Sequence, residues 1–237
     1  MTDPAPAPLS EILREFARFL RQPRRLEPAG LRGAPGALRH WAVLSALMIG
    51  VMLAVMLPLI SLWQNAFDLA APDAFGKMDP DLMVPVVLLF APVLEEILFR
   101  GWQTGRVRAL WLLGCALAFG ALLYAGTLGL SAVVAGAGFL VLLLAAPVGW
   151  FVLRKRGTPA WFDAAFPAIF YLTIAGFAAL HLMNYPSFSA LSLPLILPQL
   201  WVALVLGFMR LRIGLVAAIL THMLSNAAAL GVATLAG

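Results

Sequence analysis

The stretch of residues 82–101 reads LMVPVVLLFAPVLEEILFRG. Its first half is apolar enough for a membrane helix, but its second half contains Glu95, Glu96 and Arg100. A charged side chain at mid-membrane costs about 2.5–3.5 kcal/mol on insertion scales, so such residues usually face a cavity or a partner. The stretch therefore predicts a membrane helix that contributes to a polar functional site.

The composition of the whole chain is typical of a polytopic membrane protein. Of its 237 residues, 62% are hydrophobic and 11% are charged, whereas a soluble domain has about 25% charged residues. Only Glu95, Glu96 and Asp163 supply negative charge after Leu82. The net charge of +5 comes mainly from arginine. Because no basic stripe with interleaved aromatic residues is present, we expect the lipid bilayer, and no nucleic acid, as its partner.

Seven apolar segments are predicted to cross the membrane, which gives an all-α fold with an active site within the bilayer. Each has about the 20 residues that a span needs. The segments are 41–63, 82–105, 109–128, 132–153, 163–184, 190–209 and 213–235. Arginine and lysine lie at every second boundary, so the positive-inside rule predicts a cytoplasmic N-terminus. The preference for arginine over lysine and the short chain favour a bacterial plasma membrane.

The first 40 residues are predicted to form a cytosolic arm that precedes a transmembrane domain at 41–237. Apolar residues recur there at helical spacing, with arginines among the polar positions. The apolar positions are Leu9, Ile12, Leu13, Phe16, Phe19 and Leu20. Two interpretations stay open: a helix lying on the membrane surface, or a helix packing on the protein's own cytosolic loops. A Pro/Gly/Arg-rich linker at 23–36 follows.

Helical geometry separates the two acids of the opening stretch. Glu96 and Arg100 are four residues apart with the acid first, so they share a helix face and can pair. Glu95 lies about 100° away around the helix, which leaves it as a candidate general base. The alternative is that Glu95, Glu96 and Arg100 all lie at the cytosolic interface and extend toward water.

Two histidines lie inside predicted membrane segments, and each has a polar or aromatic neighbour at i,i+4 spacing. His222 and Asn226 share one helix face, and so do Phe177 and His181. Either histidine alone would be explained equally well as an interhelical hydrogen-bonding group. At 1.5 Å per residue, Glu95, His222 and Asn226 lie about 15–21 Å from the inner-boundary arginines. His181 reaches a similar depth if its span begins at Pro167, so these groups are predicted to converge in one buried cavity.

The motifs resemble those of a known family. Residues 95–100, EEILFR, resemble the EExxxR signature of the CPBP intramembrane proteases, which include the CAAX prenyl endopeptidases and the bacteriocin-processing and abortive-infection-type proteins. Residues 177–181, FAALH, are similar to the family's FxxxH motif, and residues 222–226, HMLSN, to its HxxxN motif. Each motif is short, but three in this order on three membrane segments form a specific signal. The resemblance covers roughly 82–108 and 162–230.

The resemblance implies an intramembrane endopeptidase. Glu95, with His181, would activate a water that attacks the peptide bond, and His222 with Asn226 would stabilise the oxyanion. Glu96 would position the site through its pairing with Arg100. The implied substrate is a peptide or a membrane protein, and a prenylated C-terminal peptide is one candidate. The candidate catalytic residues are Glu95, Glu96, Arg100, His181, His222 and Asn226.

A zinc version of the mechanism stays open at the level of sequence. Glu95, His181 and His222 would be adequate ligands, and zinc would lower the pKa of a bound water. No HExxH-like local spacing defines such a site.

The chain departs from the family pattern in the spacing of its motifs. Many bacterial members have one short connection between the first and second motifs, whereas here 85 residues separate Glu96 from His181. We therefore interpret residues 109–153 as an inserted helical hairpin. Glycine and alanine in this hairpin suit close helix packing. The residues are Gly114, Ala118, Gly120, Gly136 and Gly138.

Two other functional classes compete with the protease. A non-catalytic membrane scaffold or bacteriocin-immunity-type protein would keep the fold and motifs for binding a partner. A proton-coupled transporter would also use membrane glutamate and histidine, but the sequence has no inverted repeat of broken helices to support it.

Overall fold

The computed structural model describes residues 7–32, 36–73 and 78–236, and the regular structure within them is entirely helical. Residues 1–6 and 33–35 of the predicted arm, and residue 237, lie outside this part. The α-helices are α1 (Leu9–Arg21), α2 (Ala37–Val51), α3 (Leu57–Phe67), α4 (Pro80–Pro85), α5 (Ala91–Arg100), α6 (Val107–Thr127), α7 (Ala132–Val152), α8 (Ala160–Leu180), α9 (Leu197–Arg212) and α10 (Leu215–Ala236). Met52–Met56 and Val86–Phe90 are π-helical, and His181–Asn184 and Ala190–Ile196 are 3₁₀-helical.

Seven of the helical stretches in the described part are long and apolar enough to cross a membrane, which confirms the predicted all-α polytopic fold. They are Ala37–Phe67, Asp81–Arg100, Val107–Thr127, Ala132–Val152, Ala160–Asn184, Ala190–Arg212 and Leu215–Leu235. The second span ends at Arg100 and not at the predicted 105, because the chain turns there into a left-handed Gly105 with φ 69°. The fifth begins at Ala160 and runs through Pro167. Where this span enters the membrane, and hence the depth of His181 counted from Pro167, stays a prediction.

The chain forms two compact units. The first joins the residues up to Glu96 with those from Phe166 onward, and the second is Ile97–Ala165. In the first unit α9 is the central helix, with most of its side chains buried. It packs against α1, α2, α10, the π-helical Met52–Met56 and the 3₁₀-helical Ala190–Ile196. In turn α10 packs against α2, α9 and the π-helical Val86–Phe90.

The amphipathic helix α1 packs its apolar face on the protein's own helices. Phe16 contacts Phe208 with ring centroids 5.3 Å apart, and Phe19 contacts Phe170 and Phe208 at 5.1 and 4.9 Å. Three residues of the apolar stripe, Ile12, Phe16 and Phe19, are therefore buried against protein. This packing matches the interpretation in which the helix does not use that stripe for a lipid surface.

Polar contacts attach α1 at the same end of the first unit. Glu15 lies 2.7 Å from Nε of Arg212 and 3.3 Å from Nε2 of His40. His40 itself is buried and donates through Nδ1 to the carbonyl of Gly36 at 3.1 Å. The Tyr171 hydroxyl donates to the carbonyl of Leu20. These contacts join α1 to α2, α8 and α9.

The second unit is built on the α6–α7 hairpin. The indole N–H of Trp111 donates to the carbonyl of Ala145 at 3.1 Å, and the rings of Phe119 and Phe139 lie 5.9 Å apart. The guanidinium of Arg108 lies 4.4 Å above the ring of Trp150. Aromatic side chains of both helices thus contribute to the contact within the hairpin.

The predicted role of glycine in the hairpin holds at only some positions. A methyl group at Gly138 would approach Leu122 to 3.1 Å, in line with close packing. At Gly114, Gly120 and Gly136 the same methyl group would meet nothing within 4 Å, so the packing prediction is wrong there. The tightest approach is at Gly149, where a methyl group would overlap the ring of Trp111.

Candidate active site

The helix that contains the two glutamates is interrupted by a π-helical segment, and proline explains its position. The N–H of Ala91 donates to the carbonyl of Val86, five residues earlier. Residue 92 is proline, which has no N–H and whose ring clashes with the carbonyl four residues before it. The wider π register moves that carbonyl away from the ring, and such π-bulges are frequent at functional sites.

Glu95 and Glu96 lie on either side of the imidazole of His222. Nδ1 of His222 is 2.9 Å from Oε1 of Glu96, which is a hydrogen bond between buried groups. Nε2 is 3.8 Å from Oε2 of Glu95, whose side chain is 31% exposed, while that of Glu96 is 0% exposed. An ionised Glu96 can only accept, so Nδ1 then donates to it and Nε2 faces Glu95.

A polar network anchors α10 immediately beside His222. The buried Thr221 hydroxyl accepts a hydrogen bond from the indole N–H of Trp41 at 2.8 Å and lies 2.7 Å from the hydroxyl of Ser45. Both partners belong to α2. Because adjacent residues of a helix turn together, this network sets the rotation of α10 and hence the direction of the imidazole.

Asn226, one turn beyond His222, bonds the backbone of the π-helical segment. Its Nδ2 donates to the carbonyl of Val87 at 2.9 Å. The amide therefore has one N–H occupied by the backbone and one further N–H to offer.

His181 begins the 3₁₀-turn that ends the α8 span, and its ring is oriented by Phe177. Nδ1 donates to the carbonyl of Phe177 at 2.8 Å, which leaves Nε2 as the nitrogen available for other chemistry. The Phe177 ring lies 4.7 Å from the ring of His181 and 6.1 Å from that of His222. The buried phenylalanine of the FxxxH motif thus contacts both histidines.

Most of the predicted site residues lie in the first unit, whereas Arg100 lies in the second. Glu95, Glu96 and His222 are in direct proximity, Phe177 connects His181 to them, and Asn226 lies one turn along α10. Arg100 is buried but belongs to the second unit. Its pairing with Glu96 stays a prediction.

Sequence reasoning missed two features of the site. The hydrogen bond between Glu96 and His222 joins residues far apart in the chain, so no local spacing could reveal it. Arg210 is one of the arginines that the positive-inside pattern places at the inner membrane boundary, but its side chain is buried and interacts electrostatically with Glu96. Arg210 lies within helix α9 and not beyond its end. Its helical position relative to the apolar residues of α9 is the sequence feature that could have indicated its burial.

The residues proposed for zinc do not form a metal site. Among the residues that the structure describes, no group of three His, Cys, Asp or Glu is placed to hold a metal ion. The predicted set of Glu95, His181 and His222 is therefore not brought together as ligands.

Comparison with known proteins supports the resemblance over the first motif. Residues 79–160 match the sequence model of the type II CAAX prenyl endopeptidase Rce1-like family. The matched part, about a third of the chain, contains Glu95, Glu96 and Arg100 and continues through the α6–α7 hairpin. It ends before His181, and the insertion of residues 109–153 stays a prediction.

No curated protein and no solved structure matches the chain. The assignment therefore stands on the matched segment, with the first glutamate motif inside it, and on a polytopic helical fold. The match at residues 79–160 thus supports a likeness to the CPBP intramembrane proteases.

Proposed function

We propose that the chain is an intramembrane endopeptidase of the CAAX-protease type, with Glu95 as its general base. The observation that carries the proposal is the position of His222, whose two ring nitrogens face different carboxylates. Nδ1 is 2.9 Å from Glu96, and Nε2 is 3.8 Å from Glu95. A histidine held by one carboxylate and facing a second is a typical proton-transfer arrangement.

The gap between Glu95 and His222 suits a water molecule. A separation of 3.8 Å is too long for a direct hydrogen bond, but one water can bond both atoms at about 2.8 Å from each. Oε2 of Glu95 is buried and accepts no hydrogen bond from the part of the chain that the structure describes. We therefore assign the nucleophilic water to this position.

The proposed reaction needs only this water and the peptide bond. Glu95 accepts a proton as the water oxygen bonds to the carbonyl carbon, and the π electrons of the carbonyl move to its oxygen. The resulting oxyanion is stabilised by Nε2–H of protonated His222 and by the second N–H of Asn226. Glu95 then transfers its proton to the amide nitrogen, the C–N bond breaks, and a carboxylic acid and an amine leave.

His181 has a supporting part in this proposal. Its Nδ1 is occupied by the carbonyl of Phe177, so Nε2 is the nitrogen that can bond the attacking water or the substrate. Phe177 limits the rotation of this ring and also contacts the ring of His222. We assign His181 as the second group that orients the water.

The test is peptide cleavage by purified protein in proteoliposomes. We use a farnesylated CAAX-type peptide and its unprenylated form, because the matched family is described as prenyl endopeptidases. Glu95→Gln is expected to lower kcat at least 100-fold, since a positioned general base contributes about 10²–10⁴-fold. Asp163→Asn is the matched control, because Asp163 is an exposed acid outside the described site.

Each arm of this test has a decisive result. Normal turnover by Glu95→Gln would overturn the proposal, and absence of cleavage by the folded wild type with both peptides would favour the membrane scaffold. A chelator such as 1,10-phenanthroline is expected to leave kcat unchanged. Loss of activity that added zinc restores would instead establish a metal-dependent reaction.

A further inference from the structure

The side chain of Asn226 forms a backbone link that the motif resemblance does not include. Two residues one turn apart on α10 bind the glutamate-bearing span at separate places. His222 bonds the side chain of Glu96 at 2.9 Å, and Asn226 bonds the main-chain carbonyl of Val87 at 2.9 Å. The first contact is between reactive groups, whereas the second joins one helix to the backbone of another.

Proline explains why the carbonyl of Val87 needs a partner from outside its own helix. The N–H of Ala91 is directed to the carbonyl of Val86 in the five-residue π register. The next acceptor in that register, Val87, would pair with residue 92, and Pro92 has no N–H to donate. A backbone carbonyl without a hydrogen-bond donor is strongly unfavourable inside a membrane. The amide of Asn226 supplies the donor that Pro92 lacks.

The first span contains a second π-helical segment that is followed by a proline. Met52–Met56 is also π-helical, the N–H of Leu57 donates to the carbonyl of Met52, and residue 58 is proline. Both π-helical segments therefore end two residues before a proline. What distinguishes Val86–Phe90 is the donor from α10, which places the link beside the site.

We propose that Asn226 is a positioning residue that bonds the carbonyl left unpaired by Pro92 and so holds Glu95 and Glu96 in register with His222. The inference rests on the proposed function for its catalytic consequence, but the link itself is a structural property. The two contacts from α10 restrict both sliding and rotation of the glutamate helix. Loss of Asn226 then displaces the carboxylates, in addition to removing the N–H that we assign to the oxyanion.

The test is a double-mutant cycle between Asn226→Ala and Pro92→Ala. Alanine at position 92 supplies the missing N–H, so the carbonyl of Val87 no longer depends on Asn226. Asn226→Ala alone is expected to lower Tm and to reduce kcat about 10–100-fold with KM little changed, as for loss of a supporting hydrogen bond. In the Pro92→Ala background, Asn226→Ala is expected to cause at most half of this decrease in Tm and at most half of this fold-reduction in kcat. Pro58→Ala is the matched control, because it removes a proline after the other π-helical segment, and it is expected to rescue neither.

The outcomes separate the proposal from its alternatives. Equal losses from Asn226→Ala in the wild-type and Pro92→Ala backgrounds would overturn it and leave Asn226 acting on the reacting carbonyl alone. Equal rescue by Pro58→Ala would also overturn it, because the effect would then be general helix stabilisation. If Asn226→Ala yields no folded protein, recovery of folded protein by the added Pro92→Ala supports the link, and failure to recover contradicts it. Tm requires no substrate, so absence of peptidase activity would overturn the proposed function without affecting this test.

Discussion

Glu95 and Glu96 are neighbours in the chain but have different environments. Consecutive helix residues diverge by about 100°, so two adjacent carboxylates can contact one group only if it lies between them and offers two distinct atoms. The imidazole of His222 does so, with Nδ1 toward Glu96 and Nε2 toward Glu95. The fully buried Glu96 is suited to orient the imidazole of His222. The partly exposed Glu95 is suited to bind a water molecule.

This division predicts the outcome of replacing the inner acid. Glu96→Gln is expected to reduce kcat about 10–100-fold with KM nearly unchanged, because loss of the orienting carboxylate acts through His222. The loss is expected to be smaller than that for Glu95→Gln. Steady-state cleavage kinetics of the two variants, with Asp163→Asn beside them, provide the measurement. A larger loss for Glu96→Gln than for Glu95→Gln would reverse the two roles.

At the scale of elements, the tightest approach in the hairpin is between a glycine and a tryptophan ring. Gly149 on α7 faces the ring of Trp111 on α6, and the indole N–H of Trp111 reaches the carbonyl of Ala145 one turn away. A side chain at Gly149 would displace the indole. The glycines that face open space, such as Gly114, make no such contact.

Two alanine substitutions distinguish these positions. Gly149→Ala is expected to destabilise the hairpin by about 1–3 kcal/mol, the usual consequence of overpacking. Gly114→Ala is expected to be neutral or to stabilise α6 by up to about 1 kcal/mol through helix propensity. Thermal unfolding in detergent, followed by tryptophan fluorescence, measures both. Equal effects of the two substitutions would contradict the packing described for Trp111.

At the scale of the whole molecule, α1 is an integral part of the first unit. Its aromatic face packs on α8 and α9, and Glu15 connects it to α2 and α9 through His40 and Arg212. The arginines Arg14 and Arg18 lie on the exposed side of the helix. Truncation of the arm would therefore expose the aromatic surface of α9.

Two substitutions in α1 test this packing. Phe19→Ala is expected to lower the free energy of unfolding by about 3 kcal/mol, because it removes a buried aromatic ring. Leu9→Ala, at an exposed position of the same helix, is expected to change it by less than about 0.5 kcal/mol. Unfolding of both variants in one detergent provides the comparison. Small, similar effects would indicate that α1 contributes its apolar face to lipid instead.

The membrane class, the seven spans and the candidate polar residues could all be predicted from the amino-acid sequence. These follow from local properties, since a charged or histidine side chain stands out in an apolar segment and helical spacing shows which neighbours share a face. For the same reason, the pairs Phe177–His181 and His222–Asn226 could be predicted as units. Helix ends were less predictable, because turns such as that at Gly105 depend on backbone geometry.

Only the tertiary structure decided which of these groups meet. The bond from His222 to Glu96, the contact of Phe177 with both histidines, and the link from Asn226 to Val87 all join different helices. Spacing along the chain specifies a face of each helix, but not its rotation, depth or neighbour. The rotation, depth and neighbours of each helix depend on packing around α9 and on the hydrogen bonds of Thr221. The partner of each glutamate therefore follows from the tertiary structure and not from the sequence.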